Sequence, residues 1–246
     1  MTDTPADDLK PSFRSDVTVE LVKHSAADSD VLWAARVSTA GEQSLDELKK
    51  DPERSKGLIN YLMRDRHGSP FEHNSMTFFI SAPIFVFREF MRHRVGWSYN
   101  EESGRYRELE PVFYVPDESR KLVQEGRPGK YRFVEGTQAQ QELTGRAMED
   151  AYVHAYEAYQ EMLAAGVARE VARSVLPVGL FSSMYATCNA RSLMHFLGLR
   201  TQHELAKVPS FPQREIEMVG ERMEAEWARL MPLTYAAFNA NGRVAP

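Results

Sequence analysis

The chain has 246 residues, 43% of them hydrophobic and 26% charged, the balance of a globular protein long enough to bury a sizeable core. A formal net charge of -5 removes the simplest case for a nucleic-acid binder, and a single cysteine, Cys188, excludes an internal disulfide and a cysteine metal cluster and suits a reducing compartment. The start of the chain has no signal-type apolar core, and no stretch approaches the roughly 20 apolar residues a membrane helix needs, so a cytoplasmic location is expected.

Residues 1–14 are polar, with Pro5 and Pro11, and are expected to form a flexible tail ahead of one domain over 15–246. Val17 to Val22 alternates apolar and polar residues, as a strand does; Ala26 to Ala35 and Leu45 to Asp65 carry helical spacing. Met76 to Ile80 predicts a buried strand, and Pro83 predicts a helix start running to about Arg92. Arg105 to Tyr114 is expected to be extended, and the charged stretch Pro116 to Lys130, with Gly126 and Gly129, to be an exposed loop. Glu135 to Ala165 has the pattern of a long amphipathic helix capped by Gly166, and Val167 to Leu176 that of a helix stopped by Pro177. A strand is expected at Leu180 to Thr187, and helices at Asn189 to Leu199 and Gln213 to Leu230. Strands scattered among helices without a regular βαβ rhythm indicate an α+β fold, with a mostly antiparallel sheet packed by helices.

Five arginines, Arg88, Arg92, Arg94, Arg105 and Arg107, crowd into a short stretch of this acidic chain, with His93 among them. Guanidinium is permanently charged and grips phosphate in a bidentate way, and the polar run Ser98 to Gly104 could turn backbone N–H groups toward an anion. The competing reading is a solvated charged helix whose arginines pair with Glu89, Glu101 and Glu102. The glycine spacing matches neither a dinucleotide fingerprint nor a phosphate loop. An RNA- or DNA-binding patch using Trp97, Tyr99 and Tyr106 is opposed by the net charge, and His67, His73 and His93 lack metal-ligand spacing. Arg191 and His195 lie four residues apart on a presumed helix; on its own, such a histidine is more often structural.

Four blocks, in order, carry a family resemblance. Arg92-His93-Arg94 followed by eight residues and Ser103-Gly104-Arg105-Tyr106 resembles the signature of the flavin-dependent thymidylate synthases. His67-Gly68-Ser69-Pro70-Phe71-Glu72-His73, Arg169-Glu170-Val171-Ala172-Arg173 with Leu176-Pro177, and Asn189-Ala190-Arg191-Ser192-Leu193 through Arg200 resemble its other blocks. The resemblance implies reductive methylation of dUMP to dTMP, with methylenetetrahydrofolate as carbon donor and reduced FAD, recharged by NADPH, as hydride donor. It also implies a homotetramer whose subunits build each site together; from charge, apolar-run length and histidine spacing, no nucleic acid, membrane or metal is expected.

By the same resemblance, Ser69, Arg92, His93, Arg94, Glu101, Asn189, Ala190, Arg191 and His195 match flavin positions. Glu89, Arg92, Glu101, Glu102, Ser103, Gly104, Arg105, Arg173 and Arg200 match substrate positions. Arg200 matches the arginine that favours an anionic pyrimidine, and His67 the histidine that packs a folate or nicotinamide ring. Ser103 lacks a legible activating base and is expected to bind rather than attack. Cys188, in the apolar run MYATC, is expected to be a buried structural thiol. Glu89 stands where several family members have Gln, and an acid there calls for pairing with Arg88 or Arg92. His195 stands where others have Asn, and Phe211 near where some have His.

Overall fold

Alternation along the chain decides the central sheet. In β3 (Ser75–Pro83) Met76, Phe78, Ile80 and Ala82 are buried while Ser75, Thr77, Phe79 and Ser81 are half-buried, which is the period of a strand with one face inward. β3 takes part in a four-stranded sheet of order β2–β3–β8–β4, with β2 at Thr18–Ser25, β4 at Trp97–Glu101 and β8 at Phe181–Cys188. Thr77 and Thr187 join their hydroxyls across β3 and β8 at 2.9 Å. The computed structural model describes residues 10–40, 52–127 and 129–246, and within them the fold is α+β with eight helices and mostly antiparallel sheets.

The described residues fall into two compact units, each assembled from three separated stretches. The first holds residues up to Asp16, Ser81–Arg88 and Glu101–Ser183; the second holds Val17–Ile80, Glu89–Asn100 and Met184–Pro246. In the second unit, α1 (Asp28–Ala40), α2 (Pro52–Arg64), α6 (Ala190–Arg200), α7 (Arg214–Leu230) and α8 (Pro232–Ala240) surround a core that includes Ile59, Phe71, Phe78, Phe196, Trp227 and Phe238. α7 shows why it packs: Ile216, Gly220, Met223 and Trp227 recur every three or four residues, and they and Val219 are all buried.

In the first unit the long helix α4 (Gln138–Ala164) is started by a reciprocal cap. Thr137 Oγ1 accepts from the Gln140 N–H at 3.3 Å, and Gln140 Oε1 accepts from the Thr137 N–H at 2.8 Å. Gly166, at φ +82°, ends it in the left-handed region, as expected from the sequence. Tyr152, Tyr156 and Tyr159 of α4 pack with Leu109, Phe113, Ala172 and Leu180 into that unit's core.

Several elements differ from the sequence reading. Ser12–Arg14 is not tail but a strand, β1, paired in parallel with β5 (Val112–Tyr114); residues 1–9 lie outside the described residues. Of the helix expected over Leu45 to Asp65, 45–51 also lie outside them, and the described part is Pro52–Arg64. Arg105 to Tyr114 is extended only at β5, because Ser103 closes a turn by accepting from the Tyr106 N–H at 3.0 Å. The stretch read as a loop over Pro116 to Lys130 contains β6 (Val123–Arg127), which pairs antiparallel with β7 (Lys130–Val134). Gly126 makes this hairpin possible, since at φ +97° a Cβ there would meet Lys130 O at 2.3 Å. The helix expected over Val167 to Leu176 is a single turn, α5 (Arg169–Ala172), followed by a 3₁₀ turn, Arg173–Val175.

Candidate active site

The second unit carries a cavity of about 430 Å³, within the range of small-molecule sites. Its wall includes His93, Arg94, Asn189, Arg191 and His195, drawn from two stretches almost a hundred residues apart in the chain. Glu72, Val95, Gly96, Trp97 and Ser192 complete it. Sequence reasoning gave Trp97 a part only in the nucleic-acid reading that the net charge opposes and gave the other four no role, although Glu72 and Ser192 lie inside the blocks that carried the resemblance and Val95 to Trp97 lie inside the signature run. Ser69 sits exposed on the 3₁₀ turn Ser69–Glu72, the same turn that supplies Glu72. Ala190 opens α6 with its N–H donated to Asn74 Oδ1 at 2.8 Å.

The cavity wall is tied together at the start of α6. Asn189 caps that helix, its Oδ1 accepting from the Ser192 N–H at 2.9 Å. Ser192 Oγ donates to Val95 O at 2.9 Å, which fastens the loop after α3 (Ile84–Phe90) to the helix. Gly96 stands at φ +70°, and a Cβ there would lie 2.1 Å from Ser192 Oγ, so only glycine allows this approach. Tyr99 donates to Phe90 O at 3.0 Å and His93 O at 2.8 Å, pinning the same loop from β4. Burial pushes the Tyr99 phenol well above its ordinary range, so it stays a donor. Helix α3 ends at Phe90, so Arg92 lies beyond it rather than one helical turn on from Arg88.

Charge is distributed unevenly around the cavity. Arg191 ion-pairs with Glu72 and donates Nε to Pro246 O at 2.7 Å. A Cβ at Gly68 would meet Arg191 Cζ at 2.5 Å, so the guanidinium lies against bare backbone. Arg92 and Arg94 make no ion pair with a described residue. Burial, then Arg200 and His195, hold His93 down at about 4; burial, then Arg191 and Arg66, also lower His195. Both imidazoles are therefore neutral at ordinary pH, and the cavity's fixed positive charge comes from Arg94 and Arg191. Arginine charge, a helix start, neutral hydrogen-bonding rings and an aromatic wall at Trp97 suit an anionic ligand with flat rings.

Arg200, at the last turn of α6, donates Nε to His93 Nε2 at 3.1 Å and ion-pairs through Nη1 with Glu89. Glu89 thus pairs with an arginine 111 residues away and not with Arg88 or Arg92, as the sequence reading required. Its other oxygen, Oε1, is buried with no hydrogen-bond partner among the described residues. Burial raises the Glu89 carboxyl, Arg200 opposes that, and Glu215 adds to it. His67 stacks on Tyr61 with ring centroids 5.6 Å apart.

The first unit gathers Glu101, Glu102, Ser103, Gly104, Arg105 and Arg173. Glu101 Oε1 accepts from Ser182 Oγ at 2.8 Å, and its carboxyl is raised by desolvation, with Ser182 opposing and Glu102 adding. Ser103 Oγ accepts from the Arg105 N–H at 3.3 Å and is hydrogen-bonded to no histidine or carboxylate among the described residues, so none of these activates it as a nucleophile. Gly104 is buried, where a Cβ would meet Leu109 Cδ1 at 3.0 Å and Arg173 Cδ at 3.3 Å. Arg105 pairs with Glu170 at 2.6 Å, and Arg173 makes no ion pair with a described residue. Cys188 is 2% exposed on β8, and burial pushes its thiol far up, so it is an inert core residue.

Residues 20–233 match the family model described as thymidylate synthase complementing protein. A curated flavin-dependent thymidylate synthase of Streptomyces avermitilis is 96% identical over 246 residues, covering both chains completely. The chain belongs to the flavin-dependent thymidylate synthase family. Another member, from Tropheryma whipplei, is 59% identical over 240 residues, covering 97% of this chain and 98% of the relative. Among solved structures, the UMP/dUMP methylase PolB from Streptomyces cacaoi, bound with 5-Br dUMP, superposes with a TM-score of 0.89 at 58% identity, covering 95% of this chain and 99% of that one. The same methylase bound with 5-Br UMP gives a TM-score of 0.88 at 56% identity. Family membership makes this chain a methyltransferase-type enzyme of thymidylate synthesis.

Proposed function

We propose that the chain converts dUMP to dTMP, taking carbon from methylenetetrahydrofolate and a hydride from FAD that NADPH reduces, as a cytoplasmic homotetramer. The observation that carries the flavin assignment is the second unit's cavity. His93, Arg94, Asn189, Arg191 and His195, matched to flavin positions from two separate sequence blocks, line one wall. Their chemistry fits the group: Arg94 and Arg191 offer charge to a pyrophosphate, Asn189 and the neutral histidines offer hydrogen bonds, and Trp97 offers a flat face. Ser69, Arg92, Ala190 and Glu101 complete the proposed flavin contacts. Bound flavin would supply the hydride that reduces the transferred carbon to a methyl group.

The chain's own residues would bind and polarise the nucleotide. Arg105 and Arg173 supply charge for its phosphate, and Ser103, Gly104 and Glu102 shape the turn that receives it. Arg200 lowers the cost of placing negative charge on the pyrimidine ring, which makes the ring's carbon more nucleophilic. His67 is proposed to pack the folate or nicotinamide ring. That solved relatives hold 5-Br dUMP and 5-Br UMP supports a uridine nucleotide as substrate. Large apolar side chains left exposed, such as Val95 at 89%, Tyr106 at 78% and Leu199 at 62%, support contacts between copies of the chain. No helix of the described residues is long and apolar enough to cross a membrane.

Anaerobic turnover tests the reading: dUMP, methylenetetrahydrofolate, NADPH and FAD with the purified enzyme are expected to yield dTMP. A folded, flavin-loaded sample that makes none overturns it. Arg200→Ala is expected to cut dUMP binding and turnover while sparing flavin content; selective flavin loss would refute its assignment to the nucleotide.

A further inference from the structure

Arg200 is held at two of its three nitrogens. Nε donates to His93 Nε2, Nη1 is engaged by Glu89 Oε2, and no described residue receives Nη2. The side chain is 21% exposed, so it is not sealed from solvent while two of its nitrogens are held. A guanidinium only donates, so His93 Nε2 must be the lone-pair nitrogen, and the proton of the neutral ring sits on Nδ1. The ring itself is wedged against Phe196, with centroids 4.9 Å apart, and belongs to the cavity wall.

Glu89 is the costly member of this set. Its Oε1 is buried without a partner among the described residues, and burial raises its carboxyl. A buried acceptor left unmade is normally selected against, so its oxygen opposite, Oε2, must return something. What it returns is a fixed Arg200. We propose that Glu89 is a positioning residue: it anchors Arg200 so that His93 is locked as the Nδ1–H tautomer toward the cavity, while Arg200 Nη2 is left as the donor for the nucleotide. The inference rests on the proposed assignment of Arg200 to the nucleotide and of the cavity to flavin, and adds the residue that aligns both. Groups facing the His93 ring or its partner are Arg200 and His195 from α6, Glu89 from α3 and Glu215 from α7. Burial first, then Arg200 and His195, keep the ring neutral, and Glu89 keeps Arg200 in place.

The test is the protonation pattern of His93 in the full-length chain labelled with ¹⁵N-histidine, with and without FAD, read by NMR. The expected pattern in the unaltered enzyme is a proton on Nδ1 alone. Glu89→Ala is expected to give a mixture of tautomers, and to lower kcat by about 10- to 100-fold with flavin content retained. Glu89→Gln keeps an acceptor oxygen for Arg200 and is expected to preserve the tautomer and rescue most of kcat. Should Glu89→Ala not fold, Arg200→Lys keeps the charge but removes the Nε arm, and is expected to release the tautomer equally. A proton on Nε2 in the unaltered enzyme, or an unchanged tautomer in the variant that folds, overturns the proposal. Failure of the unaltered enzyme to make dTMP would instead strike the functional reading, and the tautomer would still decide this one.

Discussion

Three arginines of the second unit and two of the first are held in opposite ways. In the second, Arg191, Arg200 and Arg243 are each fixed by more than one partner in half-buried or buried surroundings. Arg243 is the extreme: its side chain is 1% exposed, with Nη1 and Nη2 on Glu224 at 2.6 and 2.7 Å and a further bond from Nη2 to Thr201 Oγ1 at 3.1 Å. In the first unit, Arg105 and Arg107 sit in exposed pairs with Glu170 and Glu110, both partners more than half in water. Buried pairs are expensive to break, whereas exposed ones are worth little and exchange readily. These three arginines of the second unit are thus held in place, whereas Arg105 and Arg107 of the first are held loosely.

Removing the buried cation should have the largest effect. Arg243→Leu leaves Glu224 uncompensated, and urea unfolding is expected to show a loss of about 3–5 kcal/mol. A loss below about 1 kcal/mol would erase the contrast between the units. Next comes Gly96→Ala, which forces a side chain into the left-handed region and against Ser192 Oγ. A loss of about 2–3 kcal/mol and a drop in bound FAD are expected, measured by melting and by the flavin absorption of the purified protein.

The third effect is on pH dependence. His93 titrates at about 4 in the folded chain against 6.5 for an ordinary imidazole, so between those values the unfolded chain binds the extra proton. Stability is then present above pH 6.5 and is lost as pH falls toward 4. Glu89 and Glu101, raised by burial, act in the opposite direction as pH falls, so the contribution is read as a difference. His93→Asn should flatten the slope of denaturation midpoint against pH in that window; an unchanged slope would mean the ring is not held neutral. The smallest stability effect belongs to the exposed pair. Glu170→Gln is expected to change stability by less than about 1 kcal/mol while dUMP binds a few-fold tighter, because Arg105 loses its competitor. Weaker dUMP binding would show that the pair positions Arg105 rather than competes for it.

Much of the frame was legible from local pattern. The strand ending at Cys188, the helix after Asn189 and the amphipathic helix from Arg214 all came from periodicity and caps, which act within a few residues. The hairpin of β6 and β7 was not, because Val123-Gln-Glu-Gly-Arg is mostly exposed and shows no burial pattern to read. β4 hid for a similar reason: its polar run Ser98 to Glu101 is shaped by pairing with β8, which propensity does not report. In the candidate site, chemistry and resemblance gave the residue types, but the partners were out of reach. Nothing in one sequence links Glu89 to Arg200, and Gly96 looked like an ordinary loop glycine until Ser192 stood against it.

The interleaving of the two units has a consequence for synthesis. The second unit needs Val17–Ile80 and Met184–Pro246 together, yet about 100 residues separate the end of one from the start of the other. At ribosomal speeds of about 5–20 residues per second, the early stretch waits roughly 5–20 s for its partner. During that time α2 and β3 have apolar faces, including Ile59, Phe78 and Ile80, with much of their eventual cover still unmade. A nascent chain of this topology is a natural client for a ribosome-associated chaperone, and slowing translation after Ile80 should raise its aggregation more than slowing it after Met184.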